Sequence, residues 1–178
     1  MSFIDWPNGK FRGEGVIRSV KKLADLEGVF EDSQSWQSMD PKTIVYSVEW
    51  EERTQPGTEG GLFWGTTVIE PGRVGDEYFM TRGHFHAKRD RGEYYATVQG
   101  TGMLVLMDEV RAGRTEIMSP GSLHYIPGRT AHRTVNTGDT PLIFWACWPS
   151  DAGHDYDTIE KHGFSTRVVA RNGAPEVV

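Results

Sequence analysis

The chain has 178 residues, with 37% hydrophobic and 25% charged side chains, which is typical of one folded domain and argues against disorder. Its formal net charge of −6 argues against a general nucleic-acid-binding protein, because such proteins usually carry a basic surplus. The N-terminus lacks the pattern of a secretory signal, and no apolar run reaches the ~20 residues of a membrane span. We therefore expect a cytoplasmic protein that binds neither nucleic acid nor membrane.

The first part of the chain, residues 1–42, is predicted to form an arm that packs outside the core. Residues 1–15 are expected to be irregular, with a turn at Pro7–Gly9. The stretch SVKKLADLEGVF (residues 19–30) repeats apolar residues at roughly the helical period. This spacing predicts one short amphipathic helix that ends near Gly28.

From residue 43 onward, short runs rich in β-branched and aromatic residues predict strands. The first runs are TIVYSVEW, GLFWGTTVIE, EYFMTRGHFH and EYYATVQGTGMLVLMD, the last of which is divided by a glycine-containing turn. Residues 113–149 predict three more strands, broken at Pro-Gly, Pro-Gly-Arg and Thr-Gly-Asp, and Cys147 is expected to be buried in the core. Short strands at this spacing indicate an all-β sandwich or barrel over residues 43–150.

The last part of the chain, residues 151–178, is predicted to close the domain. The run DYDTIEKHG predicts a short helix that ends at Gly163. The pair Asn172-Gly173 lies between two apolar runs and is typical of a two-residue hairpin turn. The whole chain, residues 1–178, is thus expected to be one domain with a few short peripheral helices.

A group of residues in the third predicted strand has the spacing of a metal site. His84 and His86 alternate with Phe85, so on a strand both imidazoles would face the same side. Glu93 follows after a short turn and could return to that face. A fourth ligand would come from a distant strand, and the candidates are His124, His132, His154 and His162. Three imidazoles and one carboxylate suit Fe, Mn, Ni or Zn.

The spacing of these residues resembles the paired motifs of the cupin fold, a jelly-roll barrel. The first motif has His84, His86 and Glu93 and closes at Gly100. The second has the residues Gly121, Pro127, His132 and Asn136. The turn after Pro127 departs from the pattern, because Gly128 follows the proline directly. The spacing from His132 to Asn136 is intact, which keeps the ligand assignment.

Longer stretches of sequence resemble one family within the cupins. TRGHFHAKRDRGEYY, AHRTVNTGD and WPSDAGHDYDTIEKHGFS are similar to the archaeal-type, cupin glucose-6-phosphate isomerases, and the match runs from about residue 19 to about residue 171. The resemblance implies one divalent metal ion per subunit, with the ligands His84, His86, Glu93 and His132. It implies a sugar-phosphate pocket lined by Thr67, Thr81, Gly83, Tyr95, His154 and Tyr156. Catalytic roles are implied for Glu93, His154 and Tyr95.

The chemistry of these residue types agrees with such a pocket. Threonine hydroxyls and the close-approaching N–H of a glycine could hold a phosphate with neutral donors. His154 could protonate the ring oxygen of the sugar, and the Tyr95 hydroxyl could bond the C1 or C2 oxygen while Tyr94 points away. His124 and His162 are expected to be structural. The basic residues between the ligands could add charge or form a solvated loop; they are Lys88, Arg89 and Arg91.

The resemblance implies interconversion of glucose 6-phosphate and fructose 6-phosphate, in glycolysis and gluconeogenesis. Two mechanisms remain open: a cis-enediolate route with Glu93 as base and the metal as Lewis acid, and a direct hydride shift. The alternatives are another metal-dependent cupin enzyme, such as a dioxygenase or decarboxylase, and a non-catalytic cupin that binds sugar phosphates. Fe²⁺ is the first candidate ion, followed by Mn²⁺, Ni²⁺, Co²⁺ and Zn²⁺.

Two positions depart from the family pattern, and one further property is implied by the resemblance. Trp148 stands where the family often has a tyrosine. Glu49 stands near the position of a second tyrosine of the family, where a carboxylate would repel a phosphate.

Cupins commonly pair through sheet edges, so a homodimer is expected. The N-terminal arm could swap across that interface, because its apolar residues have no obvious place inside a barrel; they are Trp6, Val16, Phe30 and Trp36.

Overall fold

Strands make up most of the regular structure in the computed structural model, which describes residues 2–178. The strands are β1 (Phe3–Asp5), β2 (Lys10–Arg12), β3 (Val16–Lys22), β4 (Ile44–Glu51), β5 (Leu62–Ile69), β6 (Arg73–Val74), β7 (Glu77–Tyr78), β8 (Glu93–Gln99), β9 (Gly102–Asp108), β10 (Gly113–Met118), β11 (Leu123–Ile126), β12 (Thr130–Asn136), β13 (Leu142–Pro149), β14 (Val168–Arg171) and β15 (Ala174–Val177). The helices are α1 (Ser33–Ser38), α2 (Asp157–His162) and a 3₁₀ helix, Leu23–Leu26. The all-β prediction with short peripheral helices is confirmed.

Two sheets enclose the core. The larger has six strands in the order β11-β8-β13-β5-β4-β3, and the smaller has three in the order β10-β9-β12. One contiguous apolar cluster joins them, with Ile69 and Phe144 from the larger sheet and Leu104 and Val135 from the smaller. A third sheet, β15-β14-β7-β6, covers one side. Within residues 2–178, no helix has both the length and the apolar character needed to cross a membrane.

The predicted helix over residues 19–30 is largely wrong. Residues 19–22 belong to β3, which pairs with β4 at the edge of the larger sheet, and only Leu23–Leu26 is helical. Leu23 and Leu26 are buried, so the apolar residues of this repeat do face the core. They lie in one tight turn that follows the end of a strand, and not along a longer helix. Helix α1 was not predicted; its first turn is capped by the Asp32 side chain, which accepts a hydrogen bond from the Ser35 N–H.

Three further details differ from the expectations. Residues 3–12 form the hairpin β1-β2 around the predicted turn instead of an irregular segment. Residues 113–149 contain four strands instead of the predicted three, because the three breaks divide this segment into four strands. Cys147 is half-buried and lies on the outer side of β13, so it is not a core residue.

The C-terminal predictions are confirmed. Helix α2 ends at Gly163, whose φ of +64° and ψ of −172° form a positive-φ conformation that glycine adopts readily. The hairpin β14-β15 turns at Asn172 and Gly173, both with positive φ, as a type I′ turn requires.

Candidate metal centre and substrate pocket

Four side chains converge at the centre of the fold. His84 and His86 lie in the segment before β8, Glu93 begins β8, and His132 lies in β12. One potential ligand atom from each lies within 4.8 Å of the others. The segment EYFMTRGHFH is not the regular strand that was predicted. His84 is instead pinned by two backbone hydrogen bonds to His132, 3.2 and 3.0 Å long, which brings the two motifs together.

The polar atoms at this centre fit a cation. Glu93 Oε1 lies 2.6 Å from His132 Nε2 and 3.4 Å from His86 Nε2. Glu93 Oε1 and His132 Nε2 are buried, and neither has a hydrogen-bond partner of acceptable geometry among the described residues. His86 Nδ1 is 2.7 Å from the Arg91 carbonyl, so its proton belongs there and Nε2 presents a lone pair to the centre. A divalent cation would satisfy these atoms.

The pKa values of Glu93 and His84 agree with this arrangement, whereas at His86 burial is outweighed by Glu93 and the Arg91 carbonyl, which raise its pKa in the absence of an ion. Burial raises the pKa of Glu93, but His132 and His86 outweigh burial and lower that pKa to about 2. Burial and the neighbouring histidines hold the pKa of His84 well below its ordinary value. An ionised carboxylate and a neutral imidazole are the forms that bind metal ions.

The predicted substrate residues surround the same centre. An open cavity of about 650 Å³ is lined by all four candidate ligands and by Thr67, Thr81, Gly83, Tyr95, His154 and Tyr156. The ring of His154 lies 4.4 Å from that of His84 and stacks on Tyr156 at 5.5 Å. Tyr95 is buried beside Phe144, whereas its neighbour Tyr94 points away and is half exposed. The structure thus gathers every predicted site residue in one pocket.

The comparisons with known proteins assign the family. A family model described as glucose-6-phosphate isomerase matches residues 20–177. The chain belongs to the glucose-6-phosphate isomerase family. It is 46% identical over 180 residues to the glucose-6-phosphate isomerase of Pyrococcus horikoshii, covering 98% of this chain and 92% of that protein. Identity to the glucose-6-phosphate isomerase of Thermococcus litoralis is 46% over 165 residues, covering 90% and 84%.

Solved structures show the fold of this family member. A deletion mutant of oxalate decarboxylase from Bacillus subtilis superposes with a TM-score of 0.50 and 19% identity, over 67% of this chain and 29% of that chain. At this identity the likeness concerns the fold alone, and it confirms the predicted cupin architecture.

In this isomerase-family chain, basic residues between the ligands form a clamp. Lys88 Nζ lies 2.8 Å from Asp151 Oδ2, and two nitrogens of Arg91 bond the same carboxylate at 3.0 and 2.9 Å. These cations hold the pKa of Asp151 below its ordinary value. Arg89 pairs with Asp155. The charges of the basic loop are therefore paired with Asp151 and Asp155, and these contacts fix the segment that carries His154.

The departure at Glu49 does not affect the pocket of this family member. Glu49 points to the outer side of β4, where it binds Arg18 at 3.2 Å and the Phe11 N–H at 3.2 Å. The sequence left open whether this carboxylate would disturb a phosphate contact; alternation along β4 turns Tyr46 and Val48 into the pocket and Glu49 away from it. Burial raises the pKa of Tyr46 to about 12, so its hydroxyl stays protonated. Trp148 does line the pocket, as expected.

Two histidines lie outside this site. His124 is buried between Glu116, at 2.7 Å from Nδ1, and Ser122, at 2.8 Å from Nε2. The Ser122 hydroxyl also bonds Ser119 and Thr97, so the group links a turn to two strands. His162 is exposed in the last turn of α2.

The cavity also includes residues that were not predicted, among them Val48, Arg82, Phe144 and Ala146. Their types are ordinary for strands and carry no sequence signal of a site.

Proposed function

We propose that this protein interconverts glucose 6-phosphate and fructose 6-phosphate at the pocket beside His84, His86, Glu93 and His132. The observation that carries this proposal is the shared cavity of the predicted ligands and substrate residues, in a chain 46% identical to proteins named glucose-6-phosphate isomerase. The activity would belong to sugar-phosphate metabolism in the cytoplasm, in glycolysis or gluconeogenesis.

Two groups of pocket residues offer different chemistry. For the sugar, His154 and Tyr95 flank the candidate ligands and would contact the ring oxygen and the C1 and C2 oxygens. For the phosphate, Thr81 Oγ1 accepts a hydrogen bond from the Thr134 N–H, which leaves its own hydrogen for a ligand. Thr67 and Gly83 line the same cavity. These two groups suit a phosphorylated sugar.

A divalent cation held by the four ligands would supply Lewis-acid polarisation of the sugar oxygens. Fe²⁺ is our first candidate, with Mn²⁺, Ni²⁺, Co²⁺ and Zn²⁺ as alternatives, because the ligand set has nitrogen and oxygen but no sulfur. His154 would donate a proton to the ring oxygen as the sugar opens. Partial desolvation in the pocket lowers the pKa of His154, which makes its protonated form a stronger acid toward the substrate.

Two roles for Glu93 separate the two mechanisms. In the proton route, Glu93 removes the C2 proton, a cis-enediolate of the sugar forms, and a proton returns to C1. In the hydride route, the C2 hydrogen moves directly and Glu93 acts only as a ligand. Turnover in deuterium oxide distinguishes them, because the proton route exchanges the transferred hydrogen with solvent and the hydride route retains it.

The activity test uses the purified protein before and after chelation. We expect formation of glucose 6-phosphate from fructose 6-phosphate, measured with a coupled dehydrogenase, to vanish on chelation and to return with one added divalent ion. Protein that binds metal stoichiometrically but shows no turnover with any ion would contradict the proposal. The pocket would then belong to another metal-dependent cupin enzyme, such as a dioxygenase or decarboxylase, or to a sugar-phosphate-binding protein.

A homodimer is the second part of this proposal. The outer face of the larger sheet exposes apolar side chains across the four neighbouring strands β11, β8, β13 and β5, including Leu123 at 67%, Tyr94 at 50% and Trp64 at 38%. The hairpin β1-β2 covers only the adjacent part, where Trp6 packs on Trp145 of the same chain at 5.0 Å. A contiguous exposed apolar face of this kind suits a second copy of the chain.

Charge placed on that face is expected to separate the subunits. The double substitution Tyr94→Glu and Leu123→Glu should give a monomer in sedimentation at micromolar concentration, because both carboxylates would be desolvated in the interface. Val110→Glu is the matched control, since Val110 is 84% exposed in the β9–β10 turn, away from this face. A monomeric unsubstituted protein would remove the claim.

A further inference from the structure

A buried arginine beneath the pocket has no role in the proposed chemistry. Arg133 lies in β12 with 7% of its surface exposed. Its Nε and Nη2 donate to the Arg82 carbonyl at 3.2 and 2.6 Å, and its guanidinium lies 4.5 Å from the ring centre of Phe164. The nearby carboxylates are engaged elsewhere: Glu77 binds Arg167, and Glu160 binds Arg82. Arg133 therefore has no direct ion pair among residues 2–178, and Glu77 acts on its charge only at longer range.

The Arg82 carbonyl fixes the peptide that leads to Gly83. In a planar trans peptide the C=O and the following N–H point in opposite directions. Because Arg133 holds the carbonyl, the Gly83 N–H points away from Arg133. Arg82 and Gly83 both line the substrate cavity. The hydrogen bonds among residues 2–178 leave the Gly83 N–H without an acceptor.

The packing around Gly83 allows no other residue there. Its φ is +77°, and an added Cβ would lie 2.6 Å from the Phe164 ring and 3.0 Å from the Arg133 Cβ. The Gly83 backbone thus packs directly against the Arg133 and Phe164 side chains.

The side chain of Arg82 is held at the rim of the pocket by Glu160 at 2.7 Å and by the Asp25 carbonyl at 2.9 Å, so its positive charge is already paired.

We propose that Arg133 is a positioning residue for phosphate binding: it holds the Arg82 carbonyl so that the Gly83 N–H points into the pocket as a phosphate donor. Its unpaired positive charge also lies below the site where the anion binds. The inference rests on the proposed function, because it assigns the phosphate of a sugar phosphate to the Thr81–Gly83 side of the pocket. Arg133 itself does not line the substrate cavity, so it acts through the Arg82 carbonyl and not by contact with the substrate.

Two substitutions separate the carbonyl contact from the charge. Arg133→Lys keeps a buried cation but loses the two-pronged contact with the Arg82 carbonyl, and Arg133→Met loses both. We expect at least a tenfold weaker affinity for sorbitol 6-phosphate in the lysine variant and a larger loss in the methionine variant. Sorbitol 6-phosphate is a suitable probe because it has the phosphate but no carbonyl to isomerise. The KM for fructose 6-phosphate should rise more than kcat falls.

Calorimetry with the metal-loaded protein gives the affinity, and elemental analysis gives the metal content. Arg171→Met is the matched control, because Arg171 is an exposed arginine that pairs with Glu176 and lies outside the substrate cavity. This control should bind sorbitol 6-phosphate like the unsubstituted protein. Folded, metal-loaded Arg133→Lys protein with unchanged affinity and unchanged KM would overturn the proposal, because a purely structural role would change only its thermal stability.

Nuclear magnetic resonance of the unsubstituted, Zn²⁺-loaded protein tests the donor directly. Labelling arginine carbonyls with ¹³C and glycine nitrogens with ¹⁵N selects three Arg-Gly peptides, at Gly13, Gly83 and Gly92. The Gly83 amide proton should move downfield on addition of sorbitol 6-phosphate and stay unmoved with sorbitol. No movement with a bound phosphate ester would overturn the proposal. Both binding readouts are independent of turnover, so a failure of the isomerase activity is recognised separately.

Discussion

Replacing His132 by alanine is expected to lower isomerase turnover roughly a thousandfold and to release the bound ion. His132 lies in β12 with 2% of its surface exposed, and its Nε2 lies 2.6 Å from Glu93 Oε1. Removing it would leave the carboxylate buried without its closest partner and would open one coordination position. Elemental analysis and the coupled assay at saturating fructose 6-phosphate measure the two effects.

His124→Ala is the matched control for this substitution. His124 is also buried on a strand, but its two ring nitrogens contact Glu116 and Ser122 outside the pocket. The control variant should keep its metal and its turnover while losing some thermal stability. Full metal content in His132→Ala, or an equal loss of activity in both variants, would argue against the assignment of His132 as a ligand.

Replacing Asn136 by alanine is expected to lower the free energy of unfolding by about 3 kcal/mol without moving a metal ligand. Asn136 is fully buried, and its Nδ2 donates to the Ile69 and Thr140 carbonyls, both at 2.9 Å. Its Oδ1 accepts from the Gly138 N–H at 3.0 Å. Alanine would leave the buried Ile69 carbonyl without this partner, at a cost of about 1–3 kcal/mol, and would also release the turn groups at Gly138 and Thr140, which are open enough to bind water.

Urea denaturation followed by circular dichroism measures that change. Gln99→Ala serves as the control, because Gln99 is exposed at the end of β8 and should alter stability by less than ~0.5 kcal/mol. The folded Asn136→Ala protein should retain its metal content. A stability equal to that of the control would show that the three hydrogen bonds contribute nothing, and a loss of metal would make Asn136 part of the ion site.

Asn136 illustrates how much of the site could be predicted from the sequence. Its spacing from His132 identified the second motif. Spacing alone does not show whether such a residue binds the metal ion or stabilises a turn by hydrogen bonds, as Asn136 does. The His84–His86 pairing was found by assuming a strand. The two side chains do converge, although backbone bridges to His132 and Asp155 replace the regular ladder.

Other features depended on contacts between distant segments. The apolar repeat in residues 19–30 is equally consistent with a helix and with an edge strand followed by a tight turn, because both bury a similar set of apolar side chains. Only the pairing of β3 with β4 separates the two. The register of β4 decides that Glu49 points outward, and one residue of offset reverses that direction. Arg133 carried no signal, since an arginine beside a ligand is ordinary in sequence and unusual only when it is buried.

Arg91 connects the ion centre to the loop that carries His154. Its carbonyl accepts the His86 Nδ1 proton, and its guanidinium binds Asp151. Ion binding and the ordering of residues 151–156 would therefore favour each other by the same factor, since a free-energy linkage is reciprocal. Backbone amides of this loop should exchange their hydrogens with solvent more slowly in the metal-loaded protein than after chelation. A protein that has lost its ion would then also leave its pocket mouth open.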